Sequence, residues 1–342
     1  MYFMNVTTPL YMSVLGFLVS LMISYVITPK VMKFMLSHNI YGYDVHKPNK
    51  PKVPEACGIS YVISSALTLL LLSALTSEEV KTKILVFIGV GVYIALIGLI
   101  DDLKPMNAIV KTLLTMIGVL PIILLHVYVP YPYLPFIGKT RITIIYLIVL
   151  PLAIGVTSNA TNMMDTYNGA LVSTSSIIYL TLLFSSAIGY LMGKVDCFAL
   201  LASSVLLGAL LGFLPYNWYP ARAFNGDCGS LYVGATLGLI AVLGRLEIVV
   251  LTALMPYILN GFYILASIKG LKERREIKVR PVKVLKDVGM LDANRLKEAP
   301  LTLAHLLLLG GPLSEKDLVC SMIALQVVAS TLAFLTALLI LL

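Results

Sequence analysis

The sequence predicts an all-α polytopic membrane protein with about ten transmembrane helices, and three observations carry that expectation. Hydrophobic residues fill 59% of the 342 positions and charged residues only 12%, where a soluble domain carries about 25% charged residues. Mean hydropathy is +0.93. Apolar runs long enough to cross a hydrocarbon layer of ~30 Å recur along nearly the whole chain. An ordinary water-soluble enzyme is excluded.

Ten segments carry the pattern, at 10–36, 58–76, 84–100, 106–125, 142–157, 170–192, 197–214, 230–243, 248–268 and 318–342. The first has no basic residue before Lys30 and is too long for a signal-peptide core, so it is expected to be a retained span. Connections at 77–83, 193–196 and 244–247 are tight, that at 128–139 is rich in Pro and Tyr, and the others are longer and polar. In the largest, 269–317, Ile277, Val279, Val282 and Val284 nearly alternate with polar residues around Pro281, a short strand or hairpin pattern. Residues 301–311 read as a turn or two of interfacial helix, and Ser314 with Asp317 as an N-cap opening the last span. Residues 1–342 are expected to form one integral membrane domain, with 269–317 as a large loop inside it. The cysteines at 57, 197, 228 and 320 show neither CxxC nor metal spacing and read as free thiols.

Alternate loops belong to opposite faces of the bilayer. Of the 25 Lys and Arg residues, 19 fall on the face holding the loops that follow the first, third, fifth, seventh and ninth spans. The positive-inside rule makes that face cytoplasmic and sends both termini to the other side, although without the 269–317 loop the balance is only 8 to 6. The basic run from Lys269 to Arg280 would touch anionic headgroups, and Arg274, Arg275 or Arg280 could clamp a phosphate or an amide-bearing sugar. Asn5-Val6-Thr7 is a glycosylation sequon on the outer side.

Carboxylates are expensive in hydrocarbon, so those at span ends are informative. Asp101 and Asp102 close the third segment, Asp165 follows the fifth, Asp227 precedes the eighth, and Glu55 precedes the second, all on the basic face. The Asp101-Asp102 pair is either a solvated helix end beside Lys104 or two like charges whose proton affinities are pushed apart, one staying anionic and one serving as a base. Lys111, inside the fourth segment, must snorkel or pair with an anion. In SNATNMMDTYNG, a helical continuation places Asn159, Asn162 and Asp165 on one face. Such oxygen donors, without thiolate or imidazole, suit Mg²⁺ or Mn²⁺ rather than zinc; the alternative is a capped helix end. FNGDCGS combines Asp227 with Gly226 and Gly229 before a helix that Ser230 would cap, either a plain turn or a metal–diphosphate site at a helix N-terminus. His38, His46, His126 and His305 are scattered and read as surface or packing residues.

Together KVPEACG, the Asp pair with its following Lys, NATNMMDTYNG, FNGDCGS and the basic last loop resemble the polyprenyl-phosphate N-acetylhexosamine-1-phosphate transferase family, glycosyltransferase family 4. The resemblance covers nearly the whole chain. The VPE form of the first loop and the Arg-rich last loop without a histidine cluster are closest in style to the dolichyl-phosphate and archaeal branch. It implies ten helices with a cytoplasmic active site, Mg²⁺ (alternatively Mn²⁺) on Asn162 and Asp227, Lys111 on phosphate, and Asp101-Asp102 acting on the lipid phosphate. Asn168 would read uracil, Glu55 would contact the nucleotide sugar, Arg280 the sugar, and Asn159 and Asp165 would line the substrate site. Thr166, where relatives often carry Gly, and Pro105 depart from the pattern.

The implied reaction moves GlcNAc-1-phosphate or a related HexNAc-1-phosphate from UDP to a polyprenyl or dolichyl phosphate, leaving UMP. The implied setting is a cell membrane, or that of the endoplasmic reticulum in a eukaryote. The partners are these substrates and membrane lipids, without nucleic acid and with a homodimer left open. One alternative is the same chemistry on UDP-MurNAc-pentapeptide. The other is a cation-coupled transporter, which calls for midplane acids, paired broken helices and a repeat.

Overall fold

A computed structural model describes residues 7–270, 276–285 and 287–341. Arg274, Arg275 and Asn5 of the sequon lie outside the described residues. All ten apolar segments are helical. In chain order the helices are α1 (Thr7–Ser37), α2 (Ile59–Ser73), α3 (Glu78–Leu103), α4 (Ala108–Ile117), α5 (Leu120–Leu124), α6 (Thr143–Met164), α7 (Ala170–Leu191), α8 (Phe198–Asn217), α9 (Gly226–Gly244), α10 (Glu247–Ala253), α11 (Met255–Ile268), α12 (Leu303–Leu308) and α13 (Glu315–Leu341).

The expected count of ten spans is not reached on length. Among the described residues, seven helices are long and apolar enough to cross a membrane, or eight if α10 and α11, bent by 63° at their junction, count as one. Helix α2 has 15 residues, about 22 Å at the helical rise and short of a ~30 Å core. The fourth segment is split into α4 and α5: the first helix ends at Gly118, and Pro121, which has no N–H to donate, opens the second.

The connections also hold three antiparallel hairpins, so the chain is not strictly all-α. They are β1 (Tyr41–Tyr43) with β2 (Lys52–Pro54), β3 (Tyr133–Leu134) with β4 (Gly138–Lys139), and β5 (Val282–Leu285) with β6 (Met290–Ala293). The last matches the alternation read around Pro281, but pairing starts only after the proline, with Val282 opposite Ala293. Helix α12 falls within the expected interfacial turn. Ser314 caps α13 as expected, its Oγ accepting from the Asp317 N–H at 3.1 Å.

Helix α9 is the axis of the bundle, packed between α3 and α6, while α1 lies on α8 and α2, and α7 on α8 and α13. Two small-residue pairs spaced four apart explain how closely these helices approach, because lipid supplies no hydrophobic drive for helix association and packing must do so. A Cβ at Gly208 or Gly212 of α8 would collide with the Phe17 or Leu21 carbonyl of α1; one at Gly234 or Gly238 of α9 would strike the Thr157 or Ala153 carbonyl of α6.

Loops sort to two ends as the alternation requires. Lys83 pairs with Asp196, and Arg245 donates to the carbonyls of Lys194 (3.3 Å) and Tyr131 (3.4 Å), at one end. The conspicuous acids gather at the other. Three of the four cysteines are buried, Cys320 is exposed, and all four are free.

Candidate active site

Helix α6 runs on through Met164, the continuation expected from the asparagine spacing, with Asp165 as its C-cap. This brings Asn162 against the first turn of α9. The Asn162 Nδ2 donates to Asp227 Oδ1 at 2.8 Å and to Ser230 Oγ at 2.9 Å. Lys111 reaches the same carboxylate from α4: its Nζ lies 2.9 Å from Asp227 Oδ2 and 2.8 Å from Asp101 Oδ2. A buried ammonium thus stands between two carboxylates, the pairing that burial of Lys111 demands.

Asp101 and Asp102 are not equivalent. Asp101 holds Lys111 and accepts the Met106 N–H. Asp102 turns the other way and caps α9 from a neighbouring helix, accepting the N–H groups of Asp227 at 2.7 Å and Cys228 at 3.0 Å. Those are orphan donors of a helix N-terminus. The cap expected from Ser230 is therefore replaced by Asp102; α9 begins four residues earlier, at Gly226, and Ser230 lies within it. Gly226 is required there. Its φ is +68°, and a Cβ would overlap the Asp102 carboxylate and the Ala56 backbone.

The remaining expected residues surround this centre. Asn159 turns its Nδ2 back to the Gly155 carbonyl (2.7 Å) and accepts from Thr112 (3.2 Å), so both ends of its amide are engaged. Asp165 accepts from Asn225 Nδ2 at 2.8 Å. Burial pushes the Asp165 carboxyl up to about 7, against the Asn225 hydrogen bond, with the negative Asp227 and Glu55 adding to the rise. Asn168 is buried; its Nδ2 donates to Asp44 Oδ2 and its backbone N–H to Glu315 Oε1, both at 2.9 Å. Glu55 and Arg280 line cavities, Arg280 at an exposed rim.

Two cavities share these walls. One of about 350 Å³ is bounded by Tyr43, His46, Tyr167, Asn168 and Phe224; one of about 940 Å³ runs from Asp101, Asp102 and Lys111 past Asn159 to Arg280 and Met322. Glu55, Asn162, Asp165 and Asp227 border both. His46, read from sequence as a surface or packing residue, also borders both and stacks on Tyr167 at 4.7 Å. Asp44, Asn225 and Glu315 were not anticipated.

The donor set suits a hard divalent cation. Asp227 and the Asn162 amide meet within hydrogen-bond range, no thiolate or imidazole stands between them, and turning the amide end for end presents oxygen in place of nitrogen. Asp44, His46 and Glu315 also offer ligand atoms within 4.8 Å of one another. There, however, Lys47 Nζ already lies 3.2 Å from Asp44 and 2.5 Å from Glu315, so an ammonium supplies the positive charge.

Fold and site together define a multi-pass membrane protein whose helix ends converge on a carboxylate–amide–lysine centre beside two joined cavities. Residues 84–245 match glycosyl transferase family 4. A protein of Sulfolobus acidocaldarius named as a UDP-N-acetylglucosamine–dolichyl-phosphate N-acetylglucosaminephosphotransferase is 27% identical over 94% of this chain and 96% of its own. One of the same name from Saccharolobus solfataricus is 30% identical over 72% and 76%. The phospho-N-acetylmuramoyl-pentapeptide-transferase of Clostridium novyi is 30% identical over 81% and 85%. The chain belongs to glycosyl transferase family 4. Nothing in that membership or in the acids at helix ends supports a transporter.

Proposed function

We propose that the chain transfers GlcNAc-1-phosphate, or a related HexNAc-1-phosphate, from its UDP carrier to a polyprenyl or dolichyl phosphate. An oxygen of the lipid phosphate bonds to the β-phosphorus of the donor, the bond from that phosphorus to UMP breaks, and UMP leaves. One diphosphate linkage replaces another, so alignment and charge neutralisation supply most of the catalysis. The observation that carries the proposal is the Lys111 ammonium held between Asp101 and Asp227, with Asn162 on the far oxygen of Asp227, in the wall of the larger cavity of about 940 Å³.

Asn162 and Asp227 would hold Mg²⁺, with Mn²⁺ as the alternative. When bound, the ion neutralises diphosphate charge and polarises the phosphoryl oxygens. Lys111 binds phosphate oxygens, and Asp101 keeps its ammonium aimed. Asp102, with both oxygens on the α9 N-terminus, positions Asp227. A phosphate monoester loses its second proton near pH 6, so the acceptor is already nucleophilic at neutral pH and neither acid has to act as a base. Asn168 contacts the uracil, Glu55, Asn159 and Asp165 line the nucleotide-sugar path, and Arg280 reaches the sugar. Residues 1–342 act as one membrane unit, with the site facing the cytoplasm on the more basic side.

Purified protein given Mg²⁺, dolichyl phosphate and UDP-GlcNAc labelled in the sugar should move label into the organic phase. The similarity to the Clostridium novyi protein supports a second donor, UDP-MurNAc-pentapeptide, tested in parallel. Label from UDP-GlcNAc alone selects the first donor. Silence with both, over several lipid phosphates, contradicts the proposal.

A further inference from the structure

Asn168 is held at two points by two distant segments. Its side-chain nitrogen donates to Asp44 in the loop after β1, and its backbone N–H to Glu315 at the start of α13. Lys47 ties the two acids together, and the His46 N–H adds a 3.2 Å bond to the other Asp44 oxygen. An ionised carboxylate only accepts hydrogen bonds, so Asp44 selects the NH₂ end of the amide and turns the carbonyl end away from itself. Among the described residues the Asn168 Oδ1 accepts no hydrogen bond, and the residue borders the smaller cavity, whose walls include the rings of Tyr43, His46, Tyr167 and Phe224. Aromatic rings in the wall and the fixed Asn168 acceptor suit a planar heterocycle that presents a ring N–H.

We propose that Asp44 is a positioning residue for base selection: by fixing the Asn168 amide with its oxygen toward the smaller cavity, it makes the site accept uracil, whose N3 carries hydrogen, and reject cytosine, whose N3 is a bare acceptor. Lys47 and Glu315 hold the frame in which Asp44 works. The inference rests on the uridine-nucleotide reading above and adds how the base is chosen.

The test is calorimetric binding of UMP, CMP and N3-methyl-UMP to the full-length detergent-solubilised protein with Mg²⁺. Wild type should favour UMP over both others by about tenfold or more, the scale of one well-made hydrogen bond against an unpaired group. This measurement needs no variant, and equal binding of UMP and N3-methyl-UMP overturns the inference. In Asp44→Asn the partner both donates and accepts, the amide of Asn168 is free to take either sense, and the UMP preference over CMP should shrink to within about threefold. Asn168→Ala should lose the preference as well. If Asn168→Ala loses it and folded Asp44→Asn keeps it in full, Asp44 does not set the amide and the base reading survives alone. If Asn168→Ala keeps the wild-type preference, the base is read elsewhere and both fall.

Discussion

Asp227 is the residue on which most contacts converge, since Lys111, Asn162 and the capped start of α9 all meet there. Asp227→Asn keeps the shape but removes the charge that an ion and Lys111 both need. It should lower Mg²⁺-dependent transfer at least a hundredfold, the scale of losing one electrostatic stabiliser, while the thermal midpoint stays within a few degrees; near-normal turnover contradicts the metal assignment. Asp165 gives a prediction in pH. Its carboxyl is held at about 7 in the fold against 3.8 ordinarily, so the folded state binds the proton more tightly. Stability from this group is complete below pH ~4 and is lost as pH rises through ~7. Asp165→Asn, neutral throughout, should therefore melt higher than wild type at pH 8, with the gap closing at pH 4 to 5; a gap that widens on acidification contradicts the assigned shift. Asn162, Asp227 and Lys111 were legible in the sequence because charge and amide groups beside hydrocarbon need a reason. Asp44, Asn225 and Glu315 were not: each sits in an ordinary polar loop or helix start, and its partner lies 124, 60 and 147 positions away.

At the scale of elements, hydropathy located all ten helical segments, because burial in lipid and helix length follow from composition alone. It did not locate the breaks in the fourth and ninth, nor the early start of α9, whose first N–H groups are satisfied by Asp102 on another helix. The close α6–α9 crossing places Asn162 beside Asp227, and Gly234 and Gly238 permit it. Gly238→Val should destabilise by about 1–3 kcal/mol through overpacking and reduce transfer with it, whereas Gly89→Ala, inside α3 where a Cβ meets nothing within 4 Å, should leave the melting temperature unchanged or raise it slightly, because Ala is the better helix former. Thermal melts in detergent decide this, and equal behaviour of the two variants contradicts the packing account.

For the whole molecule, the alternation of loops puts Asp101, Asp165, Asp227 and Glu315 at one end and Lys83, Asp196 and Arg245 at the other, which suits chemistry between a water-soluble donor and a lipid-anchored acceptor. A cysteine placed at the exposed Lys297 should react with a membrane-impermeant thiol reagent from the cytoplasmic side, and one at the exposed Lys139 only from the opposite side; reversal would move the site to the outer face. The central claim is that phosphate travels with the sugar. It is tested most directly by giving the purified protein UDP-GlcNAc carrying ³²P in the β-phosphate and tritium in the sugar, together with Mg²⁺ and dolichyl phosphate. Both labels should enter the organic phase in equal amounts while UMP appears in the aqueous one. Tritium passing into lipid without ³²P, with UDP released, would contradict phosphosugar transfer.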